Sequence, residues 1–277
     1  MTIARDPNAK YDNVLSRKRS VYPRTTEEFL DLRTAIADFV IDSRSKVHIG
    51  AGTKLFVQGS CFAANLYEEL KRANMPCFYN EVVEAINSPL ANLYYLENLL
   101  RNPQEPAHAE LKNSSVFILT VGVAPCWFER ATGQFVTGPD VRRMDDFIQR
   151  TLSVKESIDA LSKVFDIIYR INPNLTVAIT LSPVPLARTF EFESAIVADC
   201  VSKSTLRAAI HETITSYTGK KPVYFPAFEI VRWLGAHVGN AFGDDGLPRH
   251  VSKQYVKLII ESFLQHASAQ PPAGAKQ

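Results

Sequence analysis

Three side chains in this sequence have the types and setting for nucleophilic chemistry: Cys61, His250 and Asp245. Cys61 sits in KLFVQGSCFAANLYEELKRANM, where an apolar β-branched run (Leu55, Phe56, Val57) breaks at Gly59-Ser60-Cys61 and an amphipathic helix follows. Phe62, Leu66 and Leu70 fall on one helical stripe, with Glu68, Glu69, Lys71 and Arg72 on the other. A strand-turn-helix unit sets its turn at the carboxyl edge of a sheet, where free helix N–H groups attract negative charge. A thiol there is expected to titrate below its free value and to attack more readily at neutral pH. The alternative is a small apolar Cys packed under the helix.

A base is the next requirement. His250 lies in GDDGLPRHVS just ahead of the last helical stretch, and Gly243, Gly246 and Pro248 mark this as a loop able to lean over a sheet edge. Asp245, or Asp244, is placed to orient the imidazole and stabilise its charged form. Without that role, His250 would cap the final helix or bond a carbonyl. His48, His108, His211, His237 and His266 read as structural or surface residues.

The elements that must position these groups follow from the pattern. Apolar runs at Leu55–Val57, Pro76–Tyr79, Ser115–Val123, Leu175–Leu181 and Val223–Phe225 alternate with helical stripes. Parallel pairing through right-handed crossovers is the economical arrangement. The expected fold class is therefore α/β: a three-layer, flavodoxin-like sandwich around a five-stranded, mainly parallel sheet of order 2-1-3-4-5. The first strand then stands at the switch point, where sites form in open sheets. Thr25 or Thr26 is expected to cap a helix through Phe39, Ser153 with Glu156 forms a capping box, and Ser252 is expected to cap the last helix. Arg101–Ala107 reads as a loop, and Trp127–Phe135 as a small hairpin. The domain expectation is an arm over 1–23, one α/β domain over 24–266 and a disordered tail over 267–277.

Bulk properties narrow the function. With 277 residues, 46% apolar and 22% charged, the chain can bury one large core. A formal charge of +2, with only the short basic patch Ser16–Ser20, gives no footprint for nucleic acid. Cys61, Cys77, Cys126 and Cys200 are far apart, without metal-ligand spacing, so neither a metal nor another cofactor is expected. No segment approaches membrane-span or signal-peptide character, and free thiols suit a reducing compartment, so a cytoplasmic location is the expectation.

The pentapeptide Gly59-Ser60-Cys61-Phe62-Ala63 resembles the signature of the GSCFA family, a branch related to the SGNH/GDSL esterases and acyltransferases. Thr120–Trp127, Thr180–Leu186, Ala198–Ala209, Tyr224–Val231 and Arg249–Ser252 resemble later blocks of that family, in order. The resemblance implies an SGNH-type fold and an acyl esterase or acyltransferase working on an ester or thioester of a polar acceptor, a small molecule or a glycan. It puts Cys61 in the nucleophile's place, with Ser60 as the fallback, and a late Asp-x-x-His element would supply the base. Here that spacing falls on Leu247, with Asp245 two residues too early. For the oxyanion, the Cys61 N–H is one donor, and Gly122, Asn80 and Asn87 are the other candidates. The Asn of a Gly-x-Asn element is replaced by Ala124. Trp127 and Ser182 are expected to wall the pocket, and Lys203 to bind a substrate phosphate or carboxylate, unless it lies on a solvated helix face. The alternative function is a binding module that kept the fold and lost the chemistry.

Overall fold

The computed structural model describes residues 20–42, 47–50 and 52–268. Most of the expected arm (1–19), residues 43–46, Ala51 and residues 269–277 lie outside the described residues.

Five strands make the central sheet: β1 (Leu55–Gly59), β2 (Cys77–Glu81), β3 (Val116–Val121), and, after three strands of a second sheet, β7 (Thr176–Leu181) and β8 (Val223–Tyr224). Their order is β2-β1-β3-β7-β8 and every pairing is parallel, which is the flavodoxin-like order expected. Alternation along each strand sends side chains to both faces, and both are covered. On one face Leu55, Val57, Val116 and Ile118 pack against Phe62, Leu66, Leu70, Tyr255, Ile259 and Phe263. On the other, Phe56, Phe117, Leu119 and Ile179 meet Leu96, Leu161, Phe165, Leu206 and Ile210. Each fully buried apolar side chain contributes roughly 1.5–3 kcal/mol, so the two half-cores hold the sheet rigid.

The covering helices arise where apolar stripes recur. They are α1 (Leu32–Ala35), α2 (Cys61–Arg72), α3 (Pro89–Arg101), α4 (Pro106–Lys112), α5 (Val154–Ile171), α6 (Ala195–Ser216), α7 (Ala227–Glu229), α8 (Gly235–Val238) and α9 (Lys253–Ser268). The Ser153–Glu156 capping box starts α5 as expected. Several expectations are corrected. The helix foreseen through Phe39 is three short helical pieces, 3₁₀ at Thr26–Phe29, α1, then a π-turn at Ile36–Val40. Arg101–Ala107 is not wholly a loop, because Pro106 is preorganised for a first helical turn and opens α4. Ser252 does not cap α9. Its hydroxyl is buried without a partner, and Asp244 accepts from the Lys253 N–H at 2.8 Å instead. The last helix also runs on to Ser268, into the expected tail.

Trp127–Phe135 does form a hairpin, between β4 (Pro125–Glu129) and β5 (Phe135–Val136), but a third strand, β6 (Phe147–Thr151), pairs antiparallel with β4. This small sheet follows directly from β3, so it stands beyond the carboxyl edge of the main sheet and supplies one wall there. Among the described residues no helix is long and apolar enough to cross a membrane.

Candidate active site

The turn after β1 is built around Gly59. Its φ of +148° is open to glycine, and an added Cβ would stand 1.8 Å from Thr120 Oγ1. The backbone can therefore pass over β3 and deliver Ser60 and Cys61 to the first turn of α2. Tyr79 steadies the turn by donating to the Gly59 carbonyl at 3.0 Å.

Below the turn runs a chain of amides, half-buried at Asn80 and fully buried at Gln58, Asn92 and Asn87. Asn80 Nδ2 donates to Gln58 Oε1 (2.9 Å), Gln58 Nε2 to Asn92 Oδ1 (2.8 Å), Asn92 Nδ2 to Asn87 Oδ1 (2.9 Å), and Asn87 Nδ2 to Ser60 Oγ (3.1 Å). Each amide spends its polar atoms on the next, which is what burial demands. This corrects the reading of Asn87 as an oxyanion donor. It is fully buried, its amide is committed to Ser60, and its carbonyl receives the Gly122 and Val123 N–H groups. Asn80 is spent in the same chain. Gly122 likewise has no free N–H to offer an oxyanion. Ser60 is buried beneath the surface and gives α2 no side-chain cap, so the helix's first N–H groups keep no side-chain partner there.

Cys61 is exposed at the start of α2, and Phe62 N–H and the Ser60 hydroxyl both favour a thiolate. They are outweighed. Protein crowding around the sulfur, then the Glu84 carboxylate beside it, push the thiol up to about 12. The expected lowering by the helix terminus is thus reversed, since desolvation and a neighbouring negative charge both penalise the thiolate. Sequence reasoning missed Glu84 altogether. It lies in a short 3₁₀ turn after β2 with no motif around it, and only the β1–β2 pairing brings it to Cys61.

His250 and Asp245 are brought together. His250 Nδ1 lies 2.7 Å from Asp245 Oδ2, and the His250 bond holds that exposed carboxylate below its ordinary range. An ionised carboxylate only accepts, so Nδ1 carries the hydrogen, and in the neutral ring Nε2 then keeps its lone pair. Asp244 serves α9 rather than the imidazole. Cys61, His250 and Asp245 all line one cavity of about 560 Å³, and no hydrogen bond joins the sulfur to the ring. A neighbouring cavity of about 520 Å³ shares Val184 with it and is lined by Glu84, Trp127, Ser182, Phe190 and Arg249. Trp127 and Ser182 thus line this second cavity and not the one that holds Cys61 and His250, with Trp127 and Phe190 ring centroids 5.1 Å apart. Arg249 donates to Glu84 Oε1 (3.1 Å) and to the Pro185 carbonyl (3.0 Å).

Lys203 corrects both sequence readings. It is buried, and its ammonium donates to the carbonyls of Gly122 (2.6 Å) and Ser182 (2.9 Å), with burial pushing it down to about 8. Neighbouring residues of α6 do similar work. Ser202 Oγ accepts from the Ala124 N–H (2.9 Å), and Asp199 accepts from the Leu186 N–H (2.9 Å) and pairs with Arg232. Arg232 in turn donates to the Pro183 carbonyl at 3.1 Å. The segment Asp199–Lys203 thus fastens the loops after β3 and β7.

A family model described as the GSCFA family matches residues 96–263, more than half of the chain. The chain belongs to the GSCFA family. In this GSCFA protein the matched region takes in β3 through α9 and so includes His250, Lys203 and the β7 loop, while Gly59–Ala63 lies ahead of it. No curated protein matches the chain. Among solved structures it is similar to a GDSL-like lipase from Parabacteroides merdae (10% identity, 80% of this chain and 98% of that one, TM-score 0.49). It is also similar to the acetylxylan esterase Axe2 from Geobacillus stearothermophilus (12% identity, 81% of this chain and 98% of that one, TM-score 0.41).

Proposed function

We propose that this protein is an acyl esterase or acyltransferase in which Cys61 is the nucleophile and His250, oriented by Asp245, its base. The observation that carries this reading is the shared cavity: an exposed thiol at a helix N-terminus and a carboxylate-held imidazole open onto the same space. The high thiol pKa defines the order of events. Free thiolate is scarce, so proton removal must accompany attack. His250 is suited to this task because its Asp245-held ring opens onto the cavity that Cys61 lines, whereas Glu84 is paired with Arg249. The sulfur bonds to the acyl carbonyl carbon as its proton passes to His250 Nε2. The carbonyl oxygen takes the negative charge near the first-turn N–H groups of α2. Collapse breaks the bond to the leaving oxygen or sulfur, which takes the proton back from His250 and leaves a thioester on Cys61. Water or an acceptor hydroxyl then attacks that thioester, with His250 again removing and returning one proton. The aromatic walls Trp127 and Phe190 suit an acceptor with a flat or apolar face, a saccharide among them.

The test is intact-protein and peptide mass spectrometry after brief exposure to an activated acetyl ester. An acetyl adduct on Cys61 that neutral hydroxylamine removes is expected. An adduct on Ser60 would transfer the role of nucleophile. No adduct and no turnover would favour the second reading, a binding module that retains the fold, to which the raised thiol pKa and Ala124 in place of an amide donor lend support.

A further inference from the structure

The two cavities that meet at Val184 differ in charge. The one holding Cys61 and His250 mixes acidic groups such as Glu68 and Asp244 with basic ones such as Arg72 and Lys253. The charged groups lining the other are Glu84, Arg188 and Arg249. Glu84 is already paired with Arg249. Arg188 is exposed at the same cavity and, among the described residues, makes no hydrogen bond or ion pair. The cavity therefore carries one uncompensated guanidinium beside the Trp127–Phe190 pair.

The loop that presents Arg188 is unusually well fastened. Its backbone is held at Pro183 by Arg232, at Pro185 by Arg249 and at Leu186 by Asp199. Three charged side chains fixing a four-residue stretch leave Arg188 on a prepared edge, where binding an anion costs little further ordering. A planar guanidinium fork fits the paired oxygens of a carboxylate or phosphate. We infer that this second cavity binds an anionic end of the substrate, a carboxylate or phosphate, with Arg188 as its ionic partner and Trp127 and Phe190 flanking the group that bears it. This rests on the acyl-transfer reading for its chemistry, but the binding itself can be judged separately.

Binding is measured first, in a Cys61→Ala, Trp233→Phe protein whose single remaining tryptophan is Trp127. Its fluorescence is titrated with para-hydroxybenzoate, phenyl phosphate and the neutral para-hydroxybenzamide. Saturable quenching by at least one anion, about tenfold tighter than by the amide and lost in Arg188→Glu, is expected for a charge-assisted contact. Which anion binds tighter separates a carboxylate from a phosphate site. Equal binding of the amide, or anion binding that survives Arg188→Glu, overturns the inference. Turnover gives the second readout, with phenyl acetate, para-acetoxybenzoate (charge on the acceptor side) and monophenyl succinate (charge on the acyl side). One anionic ester is expected to exceed phenyl acetate in kcat/KM by about tenfold, chiefly through KM, and Arg188→Gln to erase that preference. Equal use of all three esters counts against the inference. Absence of any turnover counts against the acyl-transfer reading alone, and the fluorescence titration then decides the anion site.

Discussion

Asp245 Oδ2 and His250 Nδ1 stand 2.7 Å apart although five positions separate them along the chain. The loop between closes on itself. His250 N–H donates to the Leu247 carbonyl, Gly246 N–H to the Gly243 carbonyl, and Gly243 N–H to the His250 carbonyl. Gly243 and Gly246 adopt φ near +79° and +82°, which lets this tight fold form without Cβ strain. Asp245 also takes the Leu247 N–H at 2.9 Å, so the carboxylate is fixed from two sides. A pair that the spacing alone would have separated is thereby assembled.

Replacing His250 by Ala should lower kcat/KM by about 100-fold or more, the usual worth of a positioned acid-base group. Asp245→Asn should weaken activity less and shift the pH profile, since it keeps the side chain's shape and loses the charge that stabilises imidazolium. Both residues are at or near the surface, so melting temperatures should stay close to wild type. Full activity in His250→Ala would remove this residue from the reaction.

Beyond burial, Glu84 raises the Cys61 thiol pKa by hydrogen bonding to the protonated thiol and then by its charge. Neutralising it as Glu84→Gln should therefore lower the thiol pKa and speed iodoacetamide labelling of Cys61 at mildly alkaline pH. Peptide mapping separates Cys61 from the other exposed thiol, Cys200. Slower or unchanged labelling would contradict the assigned role of Glu84. In the wild type, the labelling midpoint should lie above the ordinary thiol value of about 8.5.

Gly59→Ala should cost about 3 kcal/mol or more, combining a positive-φ penalty with a collision against Thr120 Oγ1. Urea denaturation would report this as a lowered midpoint. A variant as stable as the wild type would mean that the turn can reopen away from β3.

Lys203→Ala leaves two carbonyls without their donor and should destabilise by roughly 2–4 kcal/mol. Its pH dependence has a definite sign. The folded-state pKa of Lys203 is lowered to about 8, so from there up to the unfolded value near 10.5 the unfolded chain binds the extra proton. The contribution of Lys203 to stability then grows with rising pH, and the gap between wild type and variant should widen across that window. A gap that narrows would show that the ammonium is not desolvated.

The sheet and its site edge were legible in the sequence because local signals and tertiary fate agree there. Two-sided burial requires near-continuous apolar runs, and β1, β3 and β7 advertise themselves that way. That the thiol and the loop histidine share one cavity has a related reason: strand ends in a parallel sheet converge on one edge. What the sequence could not determine was charge environment. Whether Cys61 titrates low or high depends on Glu84, which arrives through β-strand pairing. Whether Lys203 meets substrate or backbone depends on which face of α6 turns inward. Asn87 looks the same in a sequence whether its amide faces a ligand or a buried neighbour. Periodicity records which residues avoid water, so it yields the scaffold. Proton affinities and hydrogen-bond partners are set by groups a few ångströms away in space and distant along the chain, and only the tertiary structure decided those.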